Sequence, residues 1–135
     1  METRRIEELT DGHVDDLHEL YRNEWWTETR KRDELPRMLT NSDELVGFED
    51  TDSGELVAFA RILTDYTYKA LIFDVMVAEP YRNEGLGERL MDELRGHPRL
   101  VDVEHFELYC LEEMVGFYER WGFTDELGDF SLMRR

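Results

Sequence analysis

The residues of this chain best suited to chemistry lie between Val75 and Glu88. There an apolar run, Val75-Met76-Val77, leads through Ala78-Glu79-Pro80-Tyr81 into Arg82-Asn83-Glu84-Gly85-Leu86-Gly87-Glu88. The first N–H groups of a helix have no intrahelical partner and sit at the positive end of the macrodipole, so a helix opening at Gly85 offers an anion site. Gly85 and Gly87 let the backbone approach phosphate oxygens closely, and Arg82 adds a fixed charge, a combination that suits a diphosphate. The plainer reading is a helix start with two convenient glycines, since an Arg-x-x-Gly-x-Gly string arises by chance in roughly 3% of chains this long. The segment lacks the Gly-Lys-Ser/Thr of a nucleotide P-loop and the Gly-x-Gly-x-x-Gly of a dinucleotide fold.

A strand, a turn and a helix are needed to position these residues. Residues 70–77 are apolar on both faces except at Asp74, as in a central strand covered on both sides. On simple alternation Asp74 points to the face opposite Leu71 and Phe73, which makes it structural. After Pro80, Leu86, Leu90 and Leu94 recur at helical spacing, and Gly96 and Pro98 end that helix. Upstream, residues 3–7 read as a short strand, and Asp11 can cap a helix carrying Val14, Leu17, Leu20 and Tyr21 on one face. A second helix starts at Asp33, with Pro36 in its first turn, and ends near Thr40. Residues 45–49 and 55–63 read as antiparallel strands joined through Asp50-Thr51-Asp52-Ser53-Gly54. Residues 106–110 form a further strand, Met114 to Trp121 a helix stopped by Gly122, and a last strand pair around Phe123 and Phe130 to Met133 closes the chain.

At 135 residues, 41% of them apolar, the chain fits one domain over residues 1–135 with one core. Its 33 acidic residues against 16 Lys and Arg give a net charge of −17, which argues against nucleic acid or an anionic membrane as partner. Only Lys31 and Lys69 are lysines, and the acidic residues are spread along the chain. This composition resembles proteins of salt-loving organisms; the alternative is an ordinary acidic enzyme. In 1 M salt the Debye length is about 3 Å, so self-repulsion is screened and the melting temperature should rise with KCl well beyond physiological concentration. A melting temperature that stays flat or falls up to molar KCl would discard the salt-adapted reading.

Cys110 is the only cysteine, so neither an intrachain disulfide nor a thiolate metal cluster can form. His13, His18, His97 and His105 lack metal-ligand spacing and Cys110 falls in a strand, so no metal is expected. Residues 1–10 lack the apolar stretch of a signal peptide, and no run approaches the roughly 18 residues of a membrane span, so the expected location is the cytoplasm. Trp25 and Trp26 cannot both face one core from a helix, so one of them lines a pocket or meets a partner, unless the pair divides between core and surface. Tyr66 and Tyr68 adjoin the central strand and could add to an aromatic pocket.

Placed after an apolar strand, Arg82-Asn83-Glu84-Gly85-Leu86-Gly87 resembles the Arg/Gln-x-x-Gly-x-Gly/Ala loop of the GNAT superfamily of N-acetyltransferases. Phe117-Tyr118-Glu119-Arg120-Trp121-Gly122-Phe123 is similar to that superfamily's Phe-Tyr-x-x-x-Gly-Phe segment, and residues 108–118 locally resemble the arylalkylamine acetyltransferases. The resemblance covers nearly the whole chain. It implies an α/β (α+β) fold: a single mixed, mostly antiparallel sheet splayed between its fourth and fifth strands, with about four helices on its faces and CoA wedged into the split. It implies acetyl-CoA as co-substrate. The backbone of Val75 and Val77, across Met76, would bond the pantetheine arm, and the amides of Asn83, Glu84, Gly85, Leu86, Gly87 and Glu88 would hold the pyrophosphate. An amine would attack the thioester directly, and Tyr118 would protonate the leaving thiolate. A phenol with a reference pKa near 10 is protonated at neutral pH and can donate, although Tyr118 also suits a core position on an amphipathic helix.

Two departures stand out. Where many members carry a Glu or His base, this chain has Leu71 and Phe73, which leaves Asp74, a bound water, Asp65, Glu28 or Glu113 for that task; Leu111 stands where Asn is common. The resemblance places Trp25 and Trp26 in the acceptor-binding wall. The expected function is acetylation of a small-molecule amine with apolar or aromatic character, by a monomer or homodimer. The alternatives are acetylation of a protein N-terminus or lysine, and a CoA-binding sensor without catalysis.

Overall fold

The structure, a computed structural model, describes residues 2–135. Its strands form one sheet in chain order: β1 (Thr3–Ile6), β2 (Glu44–Asp50), β3 (Leu56–Thr64), β4 (Lys69–Val77) and β5 (His105–Leu108). The first four run antiparallel to their neighbours, whereas β4 and β5 are parallel. A parallel pair needs a crossover, and helix α3 (Leu86–Arg95) supplies it.

Helix α1 (Asp11–Arg22) and helix α2 (Leu35–Thr40) cover one face. Their side chains Leu17, Tyr21 and Leu35 pack with Phe59 and Met76 from the sheet. Helix α3 and helix α4 (Val115–Glu119) cover the other, where Leu90, Leu94 and Tyr118 pack with Phe48, Ile62, Ala70 and Ile72. Fully burying one such large apolar side chain contributes about 1.5–3 kcal/mol, so these two layers hold the sheet between them.

The N-cap of α1 is Thr10 rather than Asp11. Thr10 has extended backbone, its Oγ1 accepts the His13 N–H at 3.2 Å, and His13 Nδ1 accepts the Thr10 N–H at 3.1 Å. Asp11 instead begins the helix, where its charge faces the positive end of the macrodipole. The second helix opens with a single tight turn, Arg32–Glu34, before α2, and α4 is likewise prefaced by one such turn, Glu112–Met114.

Two sequence expectations fail near the C-terminus. Strand β5 ends at Leu108, so Cys110 lies beyond it and is exposed. No strand follows among the described residues: Phe123 and Phe130 to Met133 are irregular, with Phe130, Leu132 and Met133 exposed. The chain between them is polar and turns at Gly128 in the left-handed region (φ 70°), and no third strand joins to support a two-stranded ribbon, which is marginal in water by itself.

Two irregularities in β4 shape the site. Its pairing with β5 runs from Lys69↔His105 to Ile72↔Leu108 and then stops, leaving Phe73 to Val77 without a β5 partner. On the other side the register with β3 shifts between Phe59↔Met76 and Arg61↔Phe73, so β4 carries one extra residue there, and Asp74 adopts φ 58°. This is a β-bulge, which bends the strand away from its neighbour.

Candidate active site

The loop after β4 enters α3 through two left-handed residues, Asn83 (φ 65°) and Gly85 (φ 80°). Gly85 is the N-cap, with no capping side chain, and the first helical bond is Arg89 N–H to Gly85 O at 3.1 Å. The amides of Asn83 to Glu88 therefore have no backbone acceptor among the described residues, a continuous set of donors at the positive end of a helix. The two glycines act differently. Gly85 supplies its left-handed conformation, whereas a Cβ on Gly87 would lie 3.3 Å from Phe117 Cζ, so Gly87 lets α3 and α4 approach. Arg82 points along the loop, its Nε donating to Val77 O at 3.1 Å and its Nη2 to Glu24 at 3.1 Å. Beside it a cavity of about 130 Å³ is lined by Leu20, Glu24, Met76, Val77 and Arg82.

A larger cleft, about 1010 Å³, opens along β5, where Leu71, Leu108, Tyr109, Cys110, Tyr118 and Phe123 line it. Tyr118 is only 8% exposed, and its ring meets the edges of Phe117 (5.1 Å) and Phe123 (6.1 Å). No buried side-chain N or O atom among the described residues lacks a partner, so its hydroxyl, which bonds to no protein atom, reaches the cleft. Burial, and secondarily the neighbouring Cys110 sulfur, pushes the phenol up to about 12. It remains a proton donor through the neutral and mildly alkaline range.

Asp74 faces α1 and lies on the same side as Phe73, with which it shares Arg61, rather than on the opposite face that strict alternation assigned to it. The extra residue of the bulge breaks the alternation. Its Oδ2 accepts hydrogen bonds from Tyr21 Oη (2.8 Å), Arg30 Nη1 (2.7 Å) and Arg61 Nε (2.6 Å). Burial alone would raise its pKa, but hydrogen bonds and charge from Arg30 and Arg61 outweigh that and hold it below the usual carboxylate range. Burial and the Asp74 charge push the Tyr21 phenol up. Arg61 lies over the Phe73 ring at 5.0 Å, and Phe73 meets Tyr109 edge-on at 5.8 Å. Tyr21, Arg30, Arg61 and Tyr109 escaped the sequence reading. One signal pointed towards them: a carboxylate inside an apolar central strand requires cations around it.

Trp25 and Trp26 are both exposed in the turns after α1 and pack edge-to-face at 5.6 Å, and neither lines the two cavities. Tyr66 and Tyr68 lie beyond the Lys69 end of β4, with the Tyr66 hydroxyl donating to Glu44. These four aromatics do not form one pocket. Asp65 caps the β3–β4 turn by accepting from Thr67 (2.9 Å), Tyr68 (2.7 Å) and Lys69 (3.1 Å), and Glu28 and Glu113 are exposed. Among the described residues no group of three or more His, Cys, Asp or Glu converges as a metal site.

The sheet splits beside a loop of unpartnered amides, and comparison with known proteins gives this arrangement a family. The chain belongs to the GNAT acetyltransferase family: the profile of the acetyltransferase (GNAT) family matches residues 9–123. It is 35% identical over 98 residues to serotonin N-acetyltransferase 2, chloroplastic, of Oryza sativa subsp. japonica, covering 70% of this chain and 49% of that protein. It is 31% identical over 88 residues to GCN5-related N-acetyltransferase 1, chloroplastic, of Arabidopsis thaliana, covering 65% and 45%. The chain spans about half the length of these relatives. Among solved structures, a GNAT-family acetyltransferase of Xanthomonas campestris pv. campestris superposes with a TM-score of 0.84 at 29% identity, covering 100% of this chain and 93% of that one.

Proposed function

We propose that this protein transfers the acetyl group of acetyl-CoA to the primary amine of a small molecule. The observation that carries this reading is how three features adjoin the parting of β4 and β5. The free amides of Asn83 to Glu88 follow the stretch of β4 that β5 leaves unpaired, and Ile72 and Leu108, the last pair before the strands part, line the cleft that Tyr118 also lines. These groups fit the co-substrate part by part. The amides, with Arg82 swung off Glu24, hold the diphosphate; the backbone of Val75 and Val77 bonds the pantetheine; Tyr118 donates to the sulfur that leaves. Acetyl-CoA supplies the activated thioester. Asp74 stays ionised, with Oδ2 saturated by three donors, and Leu71 and Phe73 are apolar, so water takes the proton from the attacking amine.

Acetyl-CoA should raise the melting temperature, because a ligand that binds only the folded state stabilises it by mass action. Arg82→Ala should shrink that shift severalfold and leave the ligand-free melting temperature nearly unchanged, since the exposed Arg82–Glu24 pair contributes little. An undiminished shift would place the phosphates elsewhere. Gly87→Val is the poorer probe because it also collides with Phe117. Thiol release across a panel of amines and peptides then identifies the acceptor. Reaction with peptides alone would favour protein acetylation, and binding without any turnover would favour a sensor.

A further inference from the structure

We propose that the acceptor carries a carboxylate beside its amine, and that Arg61 and Arg30 recognise it at the β4 bulge. This rests on the transferase reading above and names its substrate class. Asp74 is the one carboxylate among the described residues that two arginines share, while Arg5 shows the reverse arrangement, one arginine between Glu7 and Glu93. With Tyr21 neutral, the cluster holds two guanidinium groups against one carboxylate, a net charge of about +1, within a chain of net charge −17.

The excess charge also has free bonding capacity. All three donors to Asp74 converge on Oδ2, and Arg61 uses only Nε in doing so; its Nη1 and Nη2 bond to no atom among the described residues. Since no buried side-chain N or O atom among the described residues lacks a partner, those nitrogens reach solvent. The side chains are only 13% (Arg61) and 31% (Arg30) exposed, so an anion meeting them is partly removed from water and binds more strongly than at an open surface. Their planar forks match a carboxylate.

The neighbouring surface gives the rest of the acceptor. Phe73 stacks beneath Arg61 and meets Tyr109, making an apolar aromatic wall beside the guanidinium groups. Phe73 and Asp74 belong to the part of β4 that parts from β5, so an amine attached next to the bound carboxylate faces the split in the sheet. An aromatic amino acid satisfies all three elements. Its decarboxylated amine leaves the arginines without an anion.

Matched pairs test this: tryptophan against tryptamine, and phenylalanine against phenethylamine, assayed for kcat/KM by thiol release. The carboxylated member of each pair should be favoured about 10- to 100-fold, the range for hydrogen bonds to a charged group. Arg61→Met should erase that preference and Arg61→Lys should restore part of it; Arg30→Met gives a second reading if the first variant does not fold. A wild-type preference for the decarboxylated amines overturns the proposal. So does an equal loss for both members in the arginine variants, which would make the cluster a structural clamp only. If no amine reacts although acetyl-CoA binds, the transferase reading fails separately, and thermal shifts by phenylalanine and phenethylamine with CoA present decide the subsite. Stabilisation by phenylalanine alone supports it, and no difference between the two overturns it.

Discussion

Replacing Tyr118 with phenylalanine should lower turnover by about 10²- to 10⁴-fold, the usual contribution of a positioned general acid, with acetyl-CoA affinity nearly unchanged. The substitution is clean because the Tyr118 hydroxyl bonds to no atom among the described residues, while the ring that packs between Phe117 and Phe123 is retained. The phenol is pushed up to about 12, so it is a weaker acid than free tyrosine. In the proposed reaction it would therefore donate to the sulfur as negative charge develops there, rather than release its proton beforehand. The raised value also fixes the pH dependence. At pH 10, where an unperturbed tyrosine would be about half ionised, Tyr118 should be almost wholly protonated. The kcat profile should then show no alkaline fall attributable to Tyr118 below about pH 11. A drop of less than about tenfold in the Phe variant would return Tyr118 to a packing role, and a large loss of acetyl-CoA affinity would make its hydroxyl a cofactor contact.

What the sequence revealed, and what it hid, divides along the range of the interactions concerned. The turn from Arg82 to Gly87 into α3 was readable because its conformation is local: glycine conformation, helix-terminal amides and the Leu86, Leu90, Leu94 spacing all lie within one segment. The five strands were readable for the same reason, each carrying its own apolar pattern, whereas their arrangement in one sheet was implied only by the family resemblance. The bulge was not. A one-residue insertion in a uniformly apolar run leaves no trace in the alternation, so Asp74 was assigned to the wrong face. Its partners Arg30 and Arg61 lie 44 and 13 residues away, and no spacing rule joins them before the sheet register is known. Phe130 to Met133 failed in the opposite way: its composition suits a strand, but a strand needs a neighbour, and no strand among the described residues pairs with it. One of Trp25 and Trp26 was expected to line a pocket or meet a partner, or the pair to divide between core and surface; the turn that holds them leaves both outside, and neither lines a cavity.

Asp74→Ala should be the most destabilising single change at the site, costing up to about 3–5 kcal/mol, because it leaves two partly buried guanidinium groups without their shared carboxylate. For a chain of this size that corresponds to a melting temperature lower by about 10–20 °C. Asp74→Asn should cost less, since the amide oxygen still accepts hydrogen bonds although the charge is gone. Arg30→Met and Arg61→Met should each cost less again, because the other arginine still neutralises the carboxylate. The pH dependence has a definite sign. Asp74 has a folded-state pKa depressed by Arg30 and Arg61, so its contribution is fully present above the unfolded value near 3.9 and is lost as pH falls through the lower, folded value. The stability gap between the wild-type protein and Asp74→Ala should therefore be constant from about pH 7 to pH 5 and close progressively below about pH 4. Denaturant titrations at stepped pH measure that gap directly. A gap that persists unchanged to the lowest pH at which both proteins fold would mean that the Asp74 side chain stabilises the bulge by its shape, and that the charges of Arg30 and Arg61 are already balanced by solvent.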